Sequence, residues 1–463
     1  MLPLSEEKAL QTGIWLFADL FVVSAGGWFF WLILSKIANP VEIGYATTTL
    51  SVVTLTTGIF GFGLDYALLR ESSFLKGYAY GTITIFETMV LLAVSPIAFW
   101  VSGIVYGASF VPYMTLAIVA FIVFGLAFVS KFTGIGLLRT KDVFFYDVAG
   151  TIVRLSTGIL LVTMGFGGLG MVTAGIFQQS VVALGLVLLC YKAIGFKWGG
   201  LGRLKNLLKI GVSNFPTKIS VLIASNLSVV LLASASDPSS VGVFYIALMI
   251  SLVAGGFATS IATMAIPASV ITHAGEDDAT LTTLRIGLCL TAPLVAALAS
   301  SSEAALSLVG EGYMSGSLPL VILAISLLPT IIVSNVVSKL NYARKLRQLI
   351  QLGLIQLITF LIMFFLPLEL TKTVSTSLAI LASSLIASIV ASKWLSIKAL
   401  KPIVLSSASI FVGWVIGSVG GRFSQFGGLL LSLLSSLILI LLLKGITIGE
   451  ISSLLKMMKR TQT

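Results

Sequence analysis

The chain is a succession of apolar runs, each roughly 20 residues long, divided by short polar gaps. A helix rises about 1.5 Å per residue and the hydrocarbon core of a bilayer is about 30 Å thick, so each run is long enough to cross. The pattern predicts fourteen spans, near 13–35, 43–64, 79–105, 112–137, 144–164, 168–190, 212–235, 241–265, 284–300, 317–338, 348–366, 376–394, 402–420 and 426–443. Lipid offers no partner to an open backbone, so the spans are helical, and the alternating pattern of a membrane barrel strand is absent. The expected fold class is therefore an all-α polytopic membrane protein. No cleavable leader is visible before the first run, because Glu6, Glu7 and Lys8 replace a basic leading segment.

The polar gaps carry a second signal. With the N-terminus inside, the basic residues fall on one set of alternate gaps, and the outer set holds only Lys36, Lys372 and Arg422. This asymmetry predicts a cell (cytoplasmic) membrane protein with both termini in the cytoplasm. It also accounts for the net charge of +11 without nucleic acid, which is not an expected partner. The composition is 57% hydrophobic and 10% charged, and the mean hydropathy is +1.09. The longest hydrophilic gap, Tyr191 to Ile210, leaves no room for a soluble domain. Cys190 and Cys289 lie in apolar runs and suggest neither a disulfide framework nor a metal site. His273 is the single histidine, and it stands beside Glu276, Asp277 and Asp278 in what reads as a solvated loop.

An internal repeat is visible at an offset of 198 residues. Asn39-Pro40-Val41-Glu42-Ile43-Gly44 matches Asp237-Pro238-Ser239-Ser240-Val241-Gly242, and the same offset pairs Gly13 with Gly211 and Gly58 with Gly256. Six spans fit that interval. An even number restores the starting orientation, so the expected architecture is two parallel six-helix repeats, an N-lobe (1–200) and a C-lobe (201–400), followed by two extra C-terminal helices and a cytoplasmic amphipathic tail (401–463). Leu201, Leu204, Leu207 and Leu208 form one face of the linker, and Ile451, Leu454, Leu455 and Met458 one face of the tail. Both segments are expected to lie in the membrane interface.

Four segments resemble the multidrug/oligosaccharidyl-lipid/polysaccharide exporter (MOP) superfamily, in particular its polysaccharide-biosynthesis, Wzx-like flippase branch. These are Ala38 to Tyr45 with Gly61-Phe62-Gly63-Leu64-Asp65-Tyr66-Ala67-Leu68-Leu69-Arg70; Leu207 to Pro216; Asp237 to Gly242 with Pro267; and the turn Gly310-Glu311-Gly312-Tyr313. One departure is Val243, which displaces the second repeat's aromatic to Phe244 and Tyr245. The resemblance implies two lobes that rock between inward-open and outward-open forms. It implies translocation of an oligosaccharide linked to a polyprenyl or dolichyl phosphate, for surface polysaccharide or glycoprotein biosynthesis. The implied partners are that lipid-linked substrate, membrane lipids and, as candidates, glycan-assembly enzymes.

Ionisable groups inside spans are the candidate chemistry, because each costs about 2.5–3.5 kcal/mol at mid-membrane on insertion scales. Lys218, Arg154 and Lys131, with Asn214, are the candidate substrate-binding groups, since cations suit the carrier's phosphates. Asp19, Glu87 and Asp147 are the candidate acidic coupling groups. No cofactor is expected; a coupling ion, H+ or Na+, is a candidate participant. Asp147 and Arg154 stand seven apart on one helix face, either bonded to neighbouring helices or facing a cavity. Asn214, Lys218 and Ser225 would form a polar stripe on one continuous helix. Gln178 and Gln179 either contact sugar or join helices.

Three function classes follow: a lipid-linked oligosaccharide flippase, a cation-coupled multidrug exporter of small amphipathic molecules, and a membrane enzyme. The extra spans 402–420 and 426–443 weigh against the second, because drug exporters of this superfamily usually have twelve. Scattered acids in very short outer gaps weigh against the third.

Overall fold

The computed structural model describes residues 6–218, 222–272, 276–343, 345–422, 424–443 and 445. Among the described residues the elements are helices and turns. Eleven helical segments among these residues are long and apolar enough to cross a membrane. One of these segments, Thr140–Ile194, is 55 residues long and covers two expected spans. It is α6 (Thr140–Leu161) and α7 (Gly167–Ile194), turned by a π-helical stretch at Val162–Phe166, with positive φ at Gly165 (90°) inside it and at Gly167 (50°) just after it. The expected spans at 212–235 and 426–443 appear as shorter apolar helices, Ser225–Ala235, which contains α9 (Ser228–Ala235), and Phe426–Leu442. The surface is that of a membrane protein. Large apolar side chains such as Met89, Trp100 and Leu184 face outward, while hydroxyl residues such as Thr47, Thr82 and Ser383 are buried.

The repeat has a structural counterpart at two helix starts. For α2 (Pro40–Phe60), Asn39 Oδ1 accepts the Glu42 N–H at 2.9 Å, and Glu42 Oε2 accepts the Asn39 N–H at 3.3 Å, a reciprocal capping box. For α10 (Pro238–Thr272), Asp237 Oδ2 accepts the Ser240 N–H at 3.0 Å, and Oδ1 accepts the Ser240 hydroxyl at 2.7 Å. Each helix has proline at its first position, where the missing N–H costs nothing. The two starts cross in close backbone contact. A methyl group at Gly44 would fall on the Pro238 carbonyl oxygen, and one at Gly242 would fall on the Pro40 carbonyl oxygen.

Two compact units divide the chain: Ala25–Tyr245, and Met1–Ser24 together with Ile246–Thr463. In the first, α2 ends at Gly61. Gly63 (φ 70°) then turns the chain into α3 (Leu64–Leu75), with its backbone against that of Gly211. Gly211 belongs to α8 (Gly200–Asn214), the amphipathic linker. Its Leu207 packs with Leu64, Leu68, Tyr80 and Val129. Thus Leu204 and Leu207 are buried by protein, while Leu201 is exposed; the apolar face is only partly free for an interface. In the other unit, α11 (Glu276–Ser300) is followed by the short α12 (Ser302–Ser307). This unit buries Val336, Leu340, Leu349, Leu352 and Ala387 on α13 (Ser317–Tyr342), α14 (Leu346–Phe365) and α15 (Lys372–Ala391). The C-terminal pair α16 (Leu400–Gly421) and α17 (Gln425–Leu442) belongs here. It closes on itself where Gly413 and Gly417 meet Ser432 and Ser436, a small-residue crossing, and it packs on α11. The tail face at 451–458 and His273 lie outside the described residues, as do the side chains of Glu276, Asp277 and Asp278.

Candidate functional site

Among its described residues the Ala25–Tyr245 unit buries the acids Asp65, Glu87 and Asp147, and the structure sorts these with the expected cations Lys131, Arg154 and Lys218. Lys131, on α5 (Val111–Gly136), lies 2.6 Å from Asp147 Oδ2 on α6. Lys218 lies 2.6 Å from Asp65 Oδ1 in the first turn of α3, with its ammonium 4.7 Å above the Phe128 ring. In both pairs the opposite charge is already in contact. Asp147 and Arg154 share α6 as their spacing predicts, yet each turns to a different neighbour, Lys131 on α5 and Gln178 on α7.

The expected stripe of Asn214, Lys218 and Ser225 does not form on one continuous helix. Regular helix ends at Asn214, a tighter 3-10 turn runs from Phe215 to Lys218, and a π turn follows at Ile223–Leu227. Pro216 supplies no backbone N–H to an α ladder, so the helical register breaks there. The Asn214 side chain lies outside the described residues.

Arg154 differs from both lysines. Among the described residues no carboxylate pairs with it. Its guanidinium sits 4.0 Å over the Phe30 ring and 5.7 Å from the Trp31 ring. Nη1 donates to Gln178 Oε1 at 3.3 Å, while Nε has no hydrogen-bond partner among the described residues. Tyr245 on α10 meets Trp31 edge-on, with ring centroids 5.1 Å apart. Phe30 and Trp31 lie on α1 (Glu6–Ile37), which approaches α6 through glycine: methyl groups at Gly26 and Gly158 would strike Thr151 and Phe30. Desolvated cation–π contacts contribute about 2 kcal/mol, and a hydrogen bond to a charged group about 1.5–3 kcal/mol. Together these offset the cost of holding the charge in the membrane. They do so through ring faces and one amide, without a carboxylate among the described residues.

Glu87, on α4 (Gly77–Tyr106), is 1% exposed, and both its carboxyl oxygens lack a hydrogen-bond partner among the described residues. It stands between Gly61 and Gly125, and the charges acting on it are those of Lys218 and Asp65. Asp19 is buried on α1 in the part that belongs to the other unit. Sequence reasoning singled out the ionisable members of this set and Gln178. It missed Phe30 and Trp31, whose one signal was the aromatic run Trp28-Phe29-Phe30-Trp31, and it named Tyr245 only as the repeat's displaced aromatic. Groups of His, Cys, Asp or Glu able to hold a metal are absent among the described residues.

The fold is thus helical and many-span, and among the described residues Arg154 has no carboxylate partner and the Glu87 carboxyl no hydrogen-bond partner. The lipid II flippase MurJ, in an inward closed conformation, superposes with a TM-score of 0.70 at 16% identity, covering 92% of this chain and 97% of that one. A MATE transporter in complex with MaD5 gives 0.60 at 15% identity, covering 87% and 97%. The MATE multidrug transporter DinF-BH gives 0.56 at 16% identity, covering 83% and 93%. Residues 33–315 match the family described as polysaccharide biosynthesis protein, and the chain belongs to that family. Its fold is that shared by the MurJ flippase and by MATE transporters of the MOP superfamily. A search of curated proteins finds no match.

Proposed function

We propose that the protein translocates a saccharide linked to a polyprenyl or dolichyl phosphate across the cytoplasmic membrane by alternating access, with both termini in the cytoplasm. The observation that carries this reading is Arg154: a guanidinium without an acidic partner among the described residues, set against aromatic rings inside an apolar fold. A phosphate approaching Lys131 or Lys218 has to displace a carboxylate at 2.6 Å. At Arg154 it displaces none, and planar N–H donors suit a phosphate's oxygens. Trp31, which is buried, and Tyr245 complete the aromatic surround of that charge.

A cationic drug would be repelled by the same group, which favours the flippase over the multidrug exporter. Among the coupling acids Asp147 is neutralised by Lys131, so Glu87 is assigned the uptake of a coupling proton. The test is leaflet accounting. Cells lacking the protein accumulate the lipid-linked glycan on the cytoplasmic leaflet. The wild-type gene clears it, and an Arg154→Ala gene whose product reaches the membrane does not. In proteoliposomes Glu87→Gln loses its response to an imposed proton gradient. Clearance by Arg154→Ala at the wild-type rate would overturn the assignment of Arg154.

A further inference from the structure

Far from Arg154 in the chain, the second unit carries a cluster of lysines around a cavity of about 350 Å3, within the roughly 300–1,000 Å3 of small-ligand sites. Lys339, at the end of α13, Lys345, at the start of α14, and Lys393, just after α15, line it together with Trp394 and Ser396. Lys339 Nζ donates to the Trp394 carbonyl at 2.7 Å, which fixes one ammonium at the wall. Among the described residues no acid lines the cavity. Between Glu311 and Glu450 the only acidic residue in the sequence is Glu369. Glu369 lies in the loop joining α14 to α15, at the opposite ends of those 20-residue helices. At about 1.5 Å per residue it is about 30 Å from Lys345 and Lys393, three Debye lengths at ordinary salt.

A solvated basic loop needs no cavity, and a site for a small free anion needs no apolar surround. This cavity has both. Trp394 is half-buried in its lining, and Ile389, Ile397 and Leu400, which flank Trp394 in the sequence, are 67%, 88% and 61% exposed. Such side chains beside a basic pocket fit a ligand with a charged head and apolar tails, and an indole is at home at the boundary between the two.

We propose that this pocket binds the phosphate headgroup of an anionic phospholipid, with acyl chains lying along Ile389, Ile397 and Leu400. The assignment does not depend on what the carrier transports. It is tested with the full-length protein, delipidated in detergent and titrated with phosphatidylglycerol, phosphatidylcholine or inorganic phosphate, with bound lipid read by native mass spectrometry. Each lysine near a membrane surface contributes about fivefold to anionic-lipid affinity. Lys345→Gln with Lys393→Gln is therefore expected to weaken phosphatidylglycerol binding about 25-fold, to the level of phosphatidylcholine. Arginine at both positions retains binding, and Lys372→Gln, at the far end of α15, leaves it unchanged. Wild-type binding by the double glutamine variant, an equal loss in Lys372→Gln, equal retention of phosphatidylcholine by the wild type, or displacement of the lipid by equimolar inorganic phosphate would each overturn the proposal.

Discussion

Replacing Arg154 by methionine separates transport from stability, and the structure sets the sign of each. The substitution removes a charge that costs about 2.5–3.5 kcal/mol to hold at mid-membrane. It also removes cation–π contact with Phe30 and Trp31, about 2 kcal/mol, and the bond to Gln178, about 1.5–3 kcal/mol. The difference is a destabilisation of about 1 kcal/mol, because methionine fills much of the same apolar space. Binding changes far more. Truncating one partner of a buried, hydrogen-bonded charge pair costs about 2–5 kcal/mol, which is about thirtyfold to several thousandfold in affinity. The assay is flipping of a fluorescent polyprenyl-diphosphate saccharide in proteoliposomes, beside thermal unfolding in detergent. Arg154→Met is expected to lose at least about thirtyfold in transport with a small change in midpoint. Arg154→Lys, which keeps a point charge but not the planar fork, falls between. The reasoning fails if Arg154→Met flips substrate at the wild-type rate while Lys131→Met or Lys218→Met abolishes flipping without loss of stability.

Lys131→Met strands Asp147 and is expected to destabilise by about 3 kcal/mol, the low end for a buried pair because Lys131 is partly exposed. Adding Asp147→Leu restores most of that loss, as unfolding of the double variant would register. Gly44→Ala and Gly242→Ala each drive a methyl group into a backbone carbonyl and are expected to cost about 1–3 kcal/mol. Because they act at one joint, the double variant falls short of the sum, and unchanged unfolding midpoints would contradict the contact. Bonds from the Ser240 N–H and hydroxyl hold the Asp237 carboxyl below the usual carboxylate range. Its contribution is present above about pH 4 and disappears as pH falls through the lowered folded value. Wild type should therefore lose stability on acidification relative to Asp237→Asn, and parallel pH profiles would count against the cap.

What could be read from the chain was what is local. Apolar runs show spans because the bilayer sets their length. Asn39-Pro40 and Asp237-Pro238 mark helix starts because a cap and a first-turn proline act within four residues. The ion pairs were hidden for the opposite reason. Asp65 and Lys218 are remote in sequence, and nothing near either shows that one neutralises the other. The stripe on span seven presumed an unbroken helix that Pro216 does not permit. Phe30 and Trp31 were invisible because an aromatic residue inside an apolar span has the same hydropathy whether it faces lipid or a guanidinium.

The joint at Gly44 and Gly242 has a bearing on descent. Each glycine meets the carbonyl of the proline four residues before the other, so donor and recipient of space exchange roles under the 198-residue shift. That is the signature of an isologous interface, the kind a half-length chain makes with its own copy about a two-fold axis. In such an ancestor one codon would have governed both sides at once. In this chain the two sides are encoded separately, and Asn39 and Asp237 stand at equivalent caps.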